Sequence, residues 1–183
     1  VYHQITDLNS LNSKKVNVYN IWDEDFEITP GEIKEAGGKY ALMSLTRATE
    51  DLKSGKLDAL VTAPINKDNI QSDEFQFPGH TEFLAAAFGV EEHLMLMVAN
   101  NIRIGVATGH IPLKDVPGSL SSDKIKSKVK VMIKSLKREF GISKPRIAVL
   151  GLNPHAGENG LLGKEEQEIL QPAIEELRNS GHL

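Results

Sequence analysis

Short apolar runs ending in glycine- and proline-rich turns alternate along this chain with longer stretches of helical period, and that alternation points to an α/β architecture. The apolar runs are Asp58–Thr62, Leu94–Ala99, Ile102–Thr108 and Arg146–Gly151. Asn100 and Asn101, between the second and third runs, suit the two-residue turn of a hairpin. A first helix is predicted to start at Thr29-Pro30-Gly31-Glu32, with Thr29 as N-cap, Pro30 in the first turn and Glu32 closing a capping box. Ala41, Leu45, Ala48 and Leu52 then share a face, and Gly55 ends the helix. Glu82–Phe88 reads as a short helix after a glycine turn. Asp123–Phe140 is strongly amphipathic, with Ile125, Val129, Met132, Ile133, Leu136 and Phe140 directed inward. Lys164–Asn179 is helical with a break or restart at Pro172.

Composition narrows the chemistry. With 183 residues, 40% of them hydrophobic, the chain can bury one sizeable core or parts of two. A net charge of −4 and a pI near 5.9 argue against a nucleic-acid binder, although a small anion needs only a local positive site. The lysines at 124, 126, 128, 130, 134 and 137 read as the solvated face of the long helix. There is no cysteine, which excludes disulfides, thiolate metal sites and cysteine nucleophiles and leaves His, Asp and Glu for any metal. No stretch reads as a signal peptide or membrane span: the longest, Leu94–Thr108, is interrupted by Asn100, Asn101 and Arg103. A cytoplasmic location is therefore expected. The chain starts without Met and stops just past a helical pattern, so it is expected to be a central piece of a longer protein. His3, His93 and His182 lack a chemical context and are read as surface residues, and Trp22 as a packing residue.

Four segments place useful side chains after an apolar run or in a Gly/Pro turn, where open α/β sheets gather ligands. Val61–Lys67 carries Lys67, able to neutralise a phosphate or carboxylate; the plain alternative is a turn closed by Pro64 and Asn66 with Lys67 in solvent. Phe77–Phe83 carries Gly79, His80 and Thr81 at a helix start, where free N–H groups and the dipole favour an anion; the alternative is an ordinary cap made by Thr81. Ala107–Leu113 and Gly151–Glu158 each follow an apolar run and carry His110 and His155. A lone histidine at such a place is usually structural, whereas two on neighbouring strand ends could share a metal with a third donor. They lie 45 residues apart, which matches no local zinc motif.

Taken in order, VTAPINK, FPGHTEFLA, ATGHIPLKDV and LGLNPHAGENGLLG resemble the 4-hydroxythreonine-4-phosphate dehydrogenase (PdxA) family of vitamin B6 synthesis, from about Ile28 onward. The resemblance implies a two-lobed fold like that of isocitrate and isopropylmalate dehydrogenases, with residues 1–73 in part of the first lobe and 74–183 in most of the second. It implies NAD(P)-dependent oxidation of 4-phosphohydroxy-L-threonine, then decarboxylation to 3-amino-2-oxopropyl phosphate. It also implies a homodimer that shares a divalent metal site (Zn, Mg or Co) between subunits. His80 and Thr81 match the family's substrate-binding pair, with Gly79 and Lys67 beside them. His110 and His155 match two of three metal-ligand histidines. The third belongs to a later Tyr-His-Asp-Gln-Gly-like motif that this sequence lacks, so the piece alone is expected to be inactive. No catalytic or cofactor-binding residue is assigned. A dehydrogenase of D-threonate or D-erythronate 4-phosphate would carry similar motifs. Readings from another class are a phosphate acetyltransferase-like transferase or a non-catalytic binding module.

Overall fold

The computed structural model describes residues 2–181, which leaves His182 outside the described residues. The chain divides into two compact units, Val1–Gly89 and Val90–Leu183.

In the first unit, β1 (His3–Ile5) pairs in parallel with β2 (Asn17–Tyr19), matching His3 to Asn17 and Ile5 to Tyr19. Three residues per strand are too few to leave a readable alternation, and neither strand was predicted. His3 is half-buried in β1, not a surface residue, and its Nε2 lies 3.2 Å from the Ser10 carbonyl oxygen. Helix α1 runs from Glu35 to Lys53, so the start predicted at Thr29 is wrong. Thr29–Glu32 is instead a turn closed by the Glu32 N–H donating to Thr29 O, with Gly31 at φ 87. Proline second and glycine third with positive φ is the type II signature, which overrode the capping pattern. The far end holds: Gly55, at φ 73, lies just past the last helical residue. Trp22 packs as expected, its ring 4.7 Å from that of Tyr40. The core of this unit is Leu45, Ile70 and Phe75, with Leu42, Leu60 and Phe83 packed against it.

Asp51 is nearly enclosed on α1 and takes Arg47 Nε at 2.8 Å and Lys56 Nζ at 3.2 Å. The Arg47 bond, with help from Lys56 and against the cost of burial, holds its carboxyl below the ordinary value of 3.8. A depressed folded-state pKa gives stability that is complete above the unfolded value and lost as pH falls through the folded one. We therefore expect the denaturant midpoint of this unit to drop as pH is lowered below about 4, and Asp51→Asn to flatten that slope. An unchanged slope in the variant would remove Asp51 from the account.

In the second unit, β3 (Leu96–Ala99) and β4 (Ile102–Gly105) form the expected antiparallel hairpin, with Asn100 at φ 48 in the turn. A single turn, α3 (Val116–Ser119), leads to α4 (Ser122–Arg138). The Ser121 hydroxyl caps α4 by accepting the Lys124 N–H at 3.2 Å. Beyond α4, Ile142 N–H donates to Leu136 O and Gly141 has φ 66, the wrap-around ending that glycine favours. Ile125, Val129, Ile133 and Leu136 are buried as predicted, while Met132 and Phe140 are half-buried. Near Pro172 the chain does not break but restarts as α-helix: a wide π-turn at Glu166–Leu170 runs directly into α5 (Gln171–Asn179), with Pro172 in the first turn of α5. Leu170, Ala173 and Leu177 close the core against α4.

Several lysines of α4 are engaged. Lys126 bridges Asp123 at 2.9 Å and Glu176 at 2.5 Å, and Lys128 meets Glu92 at 3.5 Å and the His93 carbonyl at 2.6 Å. His93 is half-buried here, not a surface residue. No described helix is long and apolar enough to cross a membrane.

Two predicted strands do not form. Residues 58–62 and 146–151 carry no regular secondary structure and pair with no strand among the described residues. Their inner side chains still pack: Leu60 on the first core, Ile147 and Val149 on the second. Val61 and Leu150 are 95% and 82% exposed. Apolar alternation sets which side chains turn inward, but a strand exists only where a neighbour supplies the ladder hydrogen bonds.

Candidate functional site

Four candidate residues of the first unit come from adjoining segments. Helix α2 (His80–Phe88) starts two residues before the predicted Glu82. Its first helical bond runs from Phe83 N–H to Gly79 O, so the amides of His80, Thr81 and Glu82 precede the ladder. The N-cap position is held by a glycine and Thr81 lies inside the helix, so Thr81 is not its N-cap residue. Gly79 is the N-cap residue, with φ 175. That is extended backbone, so the expected turning role of Gly79 is not what this glycine supplies. What it leaves is space: a Cβ there would lie 3.7 Å from Lys67 Cε and 3.8 Å from Glu82 Oε2. The exposed Lys67 thus brings its aliphatic stem alongside the start of α2.

Local bonds account for this approach. Asn66 Oδ1 accepts the N–H groups of Asp68 and Asn69 and turns the chain after Lys67. The Gln71 side-chain amide then donates to Lys67 O at 3.0 Å and Phe77 O at 2.9 Å, tying the lysine segment to the segment before α2. Behind them, Phe75, Phe77 and Phe83 form an aromatic cluster with ring centroids 5.3 to 5.6 Å apart. A lysine, the first amides of the helix, a hydroxyl and an imidazole gathered at one helix start can receive a small anion, with Glu82 as the opposing charge.

The other two candidates belong to the second unit. His110 and His155 are both exposed. Thr108 and Gly151, just ahead of them, line one groove of about 430 Å³, floored by Ile125 and Val129 of α4. The loop of His155 has an unusual backbone: His155, Ala156, Gly157, Glu158 and Asn159 all have φ between 47 and 81. A left-handed run in an L-chain persists only where its surroundings hold it.

Glu166 supplies much of that hold. It is 4% exposed. Its Oε1 accepts the N–H groups of Leu152 and Asn153, each at 2.7 Å, and its Oε2 accepts Asn153 Nδ2 at 2.9 Å. These bonds, the Asn153 side-chain amide foremost, keep the Glu166 carboxyl below its ordinary value despite burial. Gly157 is buried against it; a Cβ there would lie 3.0 Å from Glu166 Oε2 and 2.5 Å from Gly163 O.

As metal donors, two imidazoles suit zinc or cobalt better than magnesium. Among the described residues no group of three or more His, Asp or Glu could hold a metal ion. By donor type His110 and His155 are side chains such an ion takes, and a full set would need a donor from elsewhere.

Sequence reasoning missed Gln71 and Glu166. Gln71 sits in a polar turn and gives no signal. Glu166 gave one: it falls at helical spacing with Leu170, Ala173 and Leu177, a carboxylate on an apolar face, which is rare unless its oxygens are bonded.

Comparison with known proteins agrees with the motif order. The family model described as pyridoxal phosphate biosynthetic protein PdxA matches residues 1–183. The chain is 43% identical to 4-hydroxythreonine-4-phosphate dehydrogenase of Bacteroides thetaiotaomicron, covering 91% of this chain and 46% of that protein. It is 40% identical to the enzyme of that name from Sulfurihydrogenibium sp., covering 97% and 55%. The crystal structure of 4-hydroxythreonine-4-phosphate dehydrogenase from Klebsiella pneumoniae superposes with a TM-score of 0.80 at 33% identity, over 98% of this chain and 55% of that one. A terephthalate 1,2-cis-dihydrodiol dehydrogenase from Burkholderia xenovorans superposes with a TM-score of 0.59 at 26% identity, over 91% and 53%. The chain thus spans about half the length of the relatives it matches. With a mixed α/β fold matching about half of such structures and a family match from end to end, the chain belongs to the PdxA family and is homologous to the 4-hydroxythreonine-4-phosphate dehydrogenases.

Proposed function

We propose that the protein containing this chain oxidises 4-phosphohydroxy-L-threonine with NAD or NADP and decarboxylates the product to 3-amino-2-oxopropyl phosphate, in pyridoxal phosphate synthesis. The observation that carries this reading is the approach of Lys67 to Gly79 at the start of α2, in a member of this family. Lys67, His80, Thr81 and the first amides of α2 bind the substrate phosphate. Holding the phosphate away from the reacting carbon orients that carbon, so remote binding contributes to turnover. His110 and His155 hold a divalent metal together with a donor from outside this chain, in a homodimer. When bound, the metal supplies Lewis-acid polarisation of the substrate hydroxyl, and the nicotinamide accepts the hydride. The protein acts in the cytoplasm.

The test is NAD(P)H formation by the full-length protein with this substrate, with and without a chelator. No turnover, or turnover indifferent to the chelator, would overturn the reading.

A second reading keeps the oxidation and changes the substrate: D-threonate or D-erythronate 4-phosphate, or a diol, as the likeness to a dihydrodiol dehydrogenase suggests. Thr81 separates a phosphate reader from a diol reader. Thr81→Val should raise KM for the phosphorylated substrate about tenfold, as loss of one hydrogen bond to a charged group implies. It should leave an analogue without the phosphate nearly unaffected. Equal losses on both would place Thr81 outside phosphate recognition.

A further inference from the structure

We propose that Glu166 is a positioning residue for His155, acting through the backbone of the loop that carries it. The inference rests on the reading above that His155 is a metal ligand. Nothing in that reading uses Glu166.

Glu166 holds this loop on both sides of His155. On the near side, one oxygen takes two consecutive amides, Leu152 and Asn153, and the other takes the Asn153 side chain. On the far side, Gly157 lies so close that any side chain there would press on Glu166 Oε2 and the Gly163 carbonyl. Between these two points the chain has few ways to run, and it runs left-handed, with His155 at φ 52. Asn153 Nδ2 also donates to Glu165 at 2.7 Å, so adjacent carboxylates grip the same amide.

Without the carboxylate, Leu152 N–H and Asn153 N–H lose these acceptors, and the left-handed residues lose what opposes their relaxation to negative φ. Changing the sign of φ at residue 155 would redirect its Cα–Cβ bond, and the imidazole with it. A group that orients a metal ligand from outside the coordination shell commonly affects metal affinity by tenfold to a hundredfold.

The experiment uses the full-length protein and Zn²⁺ alone. Zinc affinity is read by competition with a chelator, and mobility of the loop by hydrogen exchange of the peptide spanning residues 152–160. Glu166→Ala should speed exchange in that peptide and weaken zinc about tenfold to a hundredfold. Glu166→Gln keeps the size and one carbonyl acceptor for the two amides but turns an N–H toward Asn153 Nδ2. It should fold, and recover most of both losses. If the alanine variant does not fold, the glutamine variant decides through a smaller shift of both readouts in the same direction.

Unchanged exchange in the variants would overturn the proposal. So would faster exchange with wild-type zinc affinity, because the order of the loop would then not matter to His155. His155→Ala serves as the control: if it leaves zinc binding intact, the metal reading itself fails. Wild-type-like exchange in Glu166→Ala, by contrast, sinks only the role of Glu166.

Discussion

In the full-length protein, His155→Ala is expected to lower kcat/KM about a thousandfold, and His110→Ala to do the same. A metal-held transition state is worth several kcal/mol, and about 4 kcal/mol corresponds to three decades of rate. Stability should change little. Both side chains are exposed, so neither truncation empties a packed site. Bound zinc should fall with activity. Activity within tenfold of wild type in either variant would show that this imidazole is not a ligand of the working enzyme.

The second large effect is structural. Phe75→Ala is expected to destabilise the protein by about 3–5 kcal/mol, the usual cost of emptying a buried aromatic site. Phe75 is wholly buried and touches the rings of Phe77 and Phe83 on either side of the α2 start. KM for the phosphorylated substrate should rise as well, because the segment before α2 loses its support. Thr81→Val should move KM without moving the denaturant midpoint, and the contrast separates damage to the frame from damage to the ligand contact. A stability loss below about 1 kcal/mol would mean that the aromatic cluster re-packs freely.

Legibility in the sequence followed the range of the interactions involved. α4 was readable because its apolar face repeats over several turns, and the β3–β4 hairpin because Asn100 takes the positive φ that such turns require. Four of the candidate site residues, Lys67, Gly79, His80 and Thr81, were put forward from turn chemistry, and the structure brings their segments together. The start of α1 failed where two local codes compete: Thr29–Glu32 satisfies both a capping box and a Pro-Gly turn, and the turn prevails. The runs at 58–62 and 146–151 were read as buried strands because alternation reports burial of one face. It carries no information on whether a neighbouring strand is there to pair. Gln71 donates to carbonyls four and six residues away and Glu166 accepts amides 13 and 14 residues away, and no periodic pattern encodes either set of partners.

The left-handed loop at 155–159 also changes which mutations this chain can accept. In most of a protein, replacing a side chain with glycine loosens the fold. At Ala156, Glu158 and Asn159 it would relieve a backbone penalty of roughly 1–2 kcal/mol per residue. Valine, isoleucine, threonine or proline would be rejected there whatever their fit to a ligand, since none takes that handedness readily. Drift at these sites is thus biased toward glycine, asparagine and aspartate and away from β-branched residues and proline, by chirality before chemistry. Invariance at 156–159 among relatives would then testify first to the hand of the backbone, and only at His155 to the reaction.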